Sequence, residues 1–255
     1  MTTPPTDQPA DESPAEPTPT IEPTPTPTIE STKPVAATSP TAETGPRWER
    51  RLRTVCMTIA RLGLGYLFFT QLFWKLPPTF NCQPDFAFTS AKADGSLQRT
   101  GGGLCDWIGI ESVWAQRPRR LFQVVGGPGW GIDVSPIVKA NGAFIDNVVK
   151  PNIRWMGWLI WGGEAFIALS MILGLFTRLG GLVAVAISAQ LMIGLAGIRD
   201  PYEWEWSYNL MFFLSVAMLG IAPGRYFGLD TLIRPRLQAL ALRGKRIARF
   251  LLPLT

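Results

Sequence analysis

Residues 155–177 read WMGWLIWGGEAFIALSMILGLFT, an apolar run whose single charged residue is Glu164. An α-helix needs about 20 such residues to cross roughly 30 Å of hydrocarbon. Three further runs have the same character: Thr54 to Trp74, Leu179 to Ile198 and Trp204 to Ala222. With 17% charged and 47% hydrophobic residues and ten Trp, the composition is odd for a soluble chain and natural for a membrane protein. The expected fold is all-α: an antiparallel four-helix transmembrane bundle, residues 47–230, with a helical extracytoplasmic cap loop over residues 76–154.

The flanks set the expected threading. Residues 1–46 are acidic and rich in Pro and Thr, with Ile21 and Ile29 as the only apolar side chains as large as Leu after Met1. Such a segment buries too little apolar area to offset the entropy of ordering it, so it reads as a disordered cytoplasmic tail. No secretory signal is expected, since the first apolar run begins only after residue 53. Arg47, Arg50, Arg51 and Arg53 precede the first run, Arg178 joins the second to the third, and residues 231–255 form a basic amphipathic tail. Positive-inside bias places these regions in the cytoplasm. The chain is thus expected to be a multi-pass plasma-membrane protein with both termini inside. Thr231 to Leu252 alternates Leu or Ile with Arg and Lys and reads as a helix lying on the inner leaflet, where lipid is its partner. Trp74, Trp155, Trp158, Tyr202, Trp204 and Trp206 are expected at the outer headgroups.

Two short helices are expected in the loop. Leu104, Trp107, Ile108 and Trp114 recur at helical spacing after Gly101-Gly102-Gly103, and Ser135-Pro136 opens a stripe of Ile137, Ala140, Phe144 and Val148. Gly126-Gly127-Pro128-Gly129 reads as a turn between them. Cys82 and Cys105 lie in this loop and can close a disulfide on an oxidising face; unpaired buried thiols and redox-active thiols are the alternatives. Cys56, in the first run, reads as a small packing residue. The chain has no His, which removes the usual haem ligand and proton shuttle. No metal or haem is expected on this chain, and nothing in it suggests nucleic acid as a partner.

Few polar groups enter the apolar runs. Counting along each helix places Arg61, Glu164 and Gln190 in one layer, where an unpartnered charge would be costly. Two readings stand: an Arg61–Glu164 ion pair that sets helix register, or a catalytic pair lining a cavity for a quinone head group or an anion. Gln190, Tyr208 and Asn209 are candidates for hydrogen bonds to a quinone, the exchangeable electron acceptor. Lys75, Arg117, Arg119, Arg120 and Arg154 form the dense positive set of the loop and its edges, suited to a small oxyanion or, equally, a solvated basic surface. Glycine pairs such as Gly63 and Gly65 let backbones approach.

Arg61-Leu-Gly-Leu-Gly-Tyr-Leu-Phe-Phe through Lys75, Trp161-Gly-Gly-Glu164 through Thr177-Arg178, and Gly224-Arg-Tyr-Phe-Gly-Leu-Asp230 together resemble the DoxX/DoxD family. The resemblance covers about residues 54–235 and points in particular to the DoxD-like subunit of thiosulfate:quinone oxidoreductase. It implies a four-helix integral membrane protein whose characteristic Arg and Glu match Arg61 and Glu164, and whose loop Arg and terminal Asp match Arg178 and Asp230. It further implies a membrane subunit that, with a second oxidoreductase subunit, passes electrons from thiosulfate to quinone with tetrathionate as product. The alternative is a non-catalytic scaffold or accessory subunit, held to a partner enzyme or to further copies of itself.

Overall fold

The computed structural model describes residues 46–122, 130–198 and 205–255, all within one unit. The expected acidic tail, the Gly126–Gly129 turn, and Tyr202 and Trp204 of the expected aromatic belt lie outside the described residues. Among those described, three helices are long and apolar enough to cross a membrane: the stretch Arg47–Lys75, made of α1 (Arg47–Gln71) and a short 3-10 turn, then α4 (Ile153–Leu173) and α5 (Thr177–Gly194). The expected four-helix transmembrane bundle is therefore corrected to three spanning helices. The fourth apolar run forms α6 (Glu205–Ile221), a helix of 17 residues. At 1.5 Å per residue it covers about 26 Å, short of the hydrocarbon core. Trp204, the first residue of that run, lies outside the described residues, and the described helix opens on the polar residues Glu205, Ser207, Tyr208 and Asn209.

The long helices pack antiparallel. Gly65 of α1 lies against Met171 and Ile172 of α4, while the Trp161 indole donates to the Leu72 carbonyl at the other end. On the far side of α5, Gly181 lies against the Leu219 backbone of α6. Leu64, Phe68, Ile167, Met171, Ala184 and Met218 fill the shared core. In lipid such a core gains little from the hydrophobic effect, so close backbone approach and dispersion hold it.

The segment between α1 and α4 folds over one end of these helices. It contains the hairpin β1 (Ser90–Ala91) and β2 (Leu97–Gln98), α2 (Gly103–Ala115), the pair β3 (Arg120–Leu121) and β4 (Ile132–Asp133), and α3 (Ser135–Phe144), which continues as a π turn over Ile145–Val149. Both sheets are antiparallel, with Ser90 opposite Gln98 and Arg120 opposite Asp133. Phe80, Leu104, Ile108, Ile145, Val149 and Ile153 form the cap's own core, each burial being worth roughly 1.5–3 kcal/mol where water is the alternative. Cys82 and Cys105 meet within this cluster, their Cα atoms 5.4 Å apart. The two expected cap helices form, but α3 faces the other way from its expected stripe. Val138, Gly142, Ile145 and Val149 are buried, and Ile137, Ala140, Phe144 and Val148 are exposed. The reason is that Gly142 admits the Ala115 side chain of α2, and that contact sets the rotation.

At the opposite end, α4 stops at Gly174 in the left-handed conformation, and α5 starts within three residues. The first turn of α5 is capped from far along the chain. Asp230 accepts hydrogen bonds from Phe176 N at 2.7 Å, Thr177 N at 3.0 Å and Thr177 Oγ1 at 2.8 Å, satisfying donors that a helix start leaves open. The single surface helix expected over 231–252 is instead a helical hairpin, α7 (Asp230–Leu242) and α8 (Arg246–Leu251). Gly244, at φ 83°, breaks it. Cys56 is exposed rather than packed, as are Trp155, Trp158 and Trp206 of the expected belt, while Trp74 is half-buried.

Candidate functional site beneath the cap

The expected Arg61–Glu164–Gln190 layer does not form. Because α1 and α4 run antiparallel with Gly65 beside Met171, Arg61 falls opposite the end of α4. Its guanidinium lies against Gly174 and Gly228, in the field of Asp230, with Nε and Nη1 buried and without hydrogen-bond partners among the described residues. Glu164 instead falls opposite the end of α1. There it pairs with Lys75, Nζ to Oε1 at 2.5 Å. Both side chains are buried, and Oε2 of Glu164 has no partner among the described residues.

Gln190 goes to a carboxylate that the sequence reading passed over. Glu111 of α2 is only 2% exposed. It accepts from Gln190 Nε2 at 2.5 Å and from the Trp107 indole at 2.9 Å. The Asn141 side-chain amide lies against the same carboxylate without a well-formed bond, and Gly194 leaves the space that Glu111 occupies. Burial pushes the Glu111 carboxyl up to about 7, against the pull of the Gln190 and Trp107 donors and of nearby Lys75. A signal for it existed in the sequence: Glu111 interrupts the Leu104, Trp107, Ile108, Trp114 stripe on its own face, where an exposed acid has no place.

Aromatic rings frame this cluster. Trp107 stands 5.9 Å from Trp74 and 5.7 Å, edge to face, from Tyr208 of α6, and Lys75 Nζ lies 4.9 Å from the Trp74 ring centre. Asn209 follows Tyr208, with a buried Oδ1 that has no partner among the described residues. Gln190 is itself exposed, so the cluster borders an open face of α5. The arrangement offers donors, acceptors and flat apolar walls together, the makings of a site for a planar ring bearing oxygens.

The expected five-cation set is divided. Lys75 belongs to the buried cluster, and Arg154 lies over the Phe86 ring at 5.1 Å. Arg117, Arg119 and Arg120 remain together, lining with Trp114, Asp133 and Ser135 an open groove of about 620 Å³. Arg119 and Arg117 sit over the Trp114 ring at 4.1 and 5.1 Å. Trp114 is three residues beyond Glu111 on α2, so one helix borders both the groove and the buried cluster. Among the described residues no group of three or more His, Cys, Asp or Glu is placed to hold a metal ion.

Fold and composition define a helical, multi-pass membrane protein with a polar cluster under its cap. Residues 134–254 match the family described as TQO small subunit DoxD, and over that segment the chain belongs to the DoxX/DoxD family. The match includes Glu164, Gln190, Arg178, Asp230 and the α7–α8 hairpin, and begins after α1 and α2. No curated protein and no solved structure matches the chain significantly.

Proposed function

We propose that the protein is the membrane subunit of a quinone-linked oxidoreductase, with the quinone head group received at the cluster under the cap. The observation that carries this reading is the Lys75–Glu164 pair beside Glu111, with Glu164 Oε2 buried and unmatched among the described residues. Two carboxylates and one ammonium are a costly way to hold helices together, since an apolar contact would do so more cheaply. Lys75, Gln190 and Trp107 can donate to head-group carbonyls, and Glu164, Glu111 and Asn209 can accept from hydroxyls. Trp74 and Tyr208 provide the walls. Arg61 then serves the opposite end of the bundle as a positioning residue.

The electron donor is thiosulfate, drawn as a dianion to the groove of Arg117, Arg119 and Arg120. Two thiosulfates joining through sulfur give tetrathionate and two electrons, which a partner subunit conveys to the quinone. The cap faces the extracytoplasmic side, where Cys82 and Cys105 are joined as a disulfide, and both termini lie in the cytoplasm.

Membranes bearing the protein and its partner should reduce a quinone analogue when thiosulfate is added. Neutralising the three arginines should weaken anion binding and its salt dependence while leaving quinone binding intact. A quinone-loaded complex indifferent to thiosulfate would overturn the donor. A second reading, an accessory subunit without chemistry of its own, is favoured by the division of the cations into separate places, and wild-type quinone occupancy in a Glu164→Ala, Glu111→Ala variant would decide for it.

A further inference from the structure

The buried cluster holds more acid than base. Glu164 has Lys75 as its counter-ion. Among the described residues Glu111 has none to itself, and its oxygens are met by the neutral donors Gln190 and Trp107. Among the described residues the elements packed around it add no second cation: α5 presents Gln190 and Gly194, α3 presents Asn141, the end of α1 presents Lys75, and α6 presents Tyr208 through Trp107. On its own helix, Asp106 is engaged by Thr89 and by Arg99 at 3.8 Å. In the π turn, Asp146 is engaged by Lys150 at 2.6 Å and Ser112 at 2.7 Å. Charge counting among the described residues therefore leaves one carboxyl of the cluster to be neutralised by a proton, and Glu111 is the one without an ammonium.

We propose that Glu111 is the proton-exchanging group of the quinone site, donating a hydrogen bond to a head-group carbonyl as the acid and accepting one from a head-group hydroxyl as the carboxylate. This rests on the quinone reading above. Burial supports it by holding the carboxyl at about 7, where both forms are within reach of ordinary pH. Below that pH the acid meets an oxidised head group ready to donate. Above it, binding the oxidised head group requires uptake of one proton from water.

The test uses the full chain in lipid nanodiscs and decylubiquinone as the probe, read by quenching of tryptophan fluorescence. Wild-type Kd should be level below about pH 7 and rise toward tenfold per pH unit above it, as one linked proton requires. Glu111→Gln keeps a donor at every pH, so its Kd should agree within about twofold across the range, near the wild-type low-pH value. Gln190→Leu removes a donor that favours the carboxylate and should move the break to higher pH. If Glu111→Gln fails to fold, infrared titration of the wild type reads the protonated carboxyl directly, and its midpoint should rise when the probe binds. A flat wild-type profile, a Glu111→Gln variant that keeps the slope, or a midpoint unmoved by the probe overturns the proposal and leaves the quinone reading standing. Absence of quenching at every pH overturns that reading as well.

Discussion

At the residue scale, the cap and the bundle meet through side chains that tolerate little change. Glu111 is protonated more readily in the folded chain than at its ordinary value of 4.5, its folded value being about 7. The folded state therefore binds the extra proton, and the associated stability is fully present below pH 4.5 and lost as pH rises through about 7. The difference is roughly 3 kcal/mol. Thermal unfolding at pH 5 and pH 8 should show the wild type weaker at pH 8, and Glu111→Gln should remove most of that difference. Lys75→Ala should be worse than either, because it leaves Glu164 uncompensated among apolar neighbours at a cost of about 3–5 kcal/mol. The paired change Lys75→Leu with Glu164→Leu should restore much of the folded protein while losing the quinone site; the yield of monodisperse protein checks the first outcome and probe binding the second. Glu164 was legible in the sequence as a charge in hydrocarbon, but its partner was not. Depth counting fixes how far a residue lies from an edge and says little about which helix end faces it, and the register set by Gly65 against Met171 decided for Lys75 over Arg61.

At the scale of elements, the two ends of the bundle are built on different devices. The cap brings Cys82 and Cys105 together, and the disulfide proposed for them is testable: mass spectrometry under non-reducing conditions, with thiols blocked during purification, should find Cys82 joined to Cys105, and alkylated thiols at both positions would refute it. The opposite end depends on one carboxylate. Asp230→Ala strips three bonds from the start of α5 and should cost about 2 kcal/mol or more, the upper end for a cap, because the donors are left buried. Asp230→Asn should recover part of it, as thermal melts would show. Gly174→Ala should also be severe, since φ is 66° there and an added methyl would run into Arg61. The sequence marked α2 and α3 through their breakers and spacing. It could not give the face of α3, because Ile137 and Val138 are equally apolar and only the Ala115–Gly142 contact chooses between them.

At the scale of the whole molecule, the apolar runs were read correctly as membrane-spanning in three cases and over-extended in the fourth, where the described helix α6 has 17 residues and opens on polar side chains. The proposed threading predicts that cysteines placed near Ala91 and Ala140 react with an impermeant maleimide added to whole cells, while those near Thr177 and Ala241 do not. Reaction at residue 241 with protection at residue 140 would invert the arrangement. One bond pattern bears on how the protein is made. The start of α5 is capped by a residue 53 positions further on, so while the ribosome is still synthesising α6, the inserted helices present an open end with unsatisfied main-chain donors. That interval is a window for membrane proteases and chaperones. A chain arrested before Asp230 should be cleared rapidly, whereas one arrested just after α7 should persist.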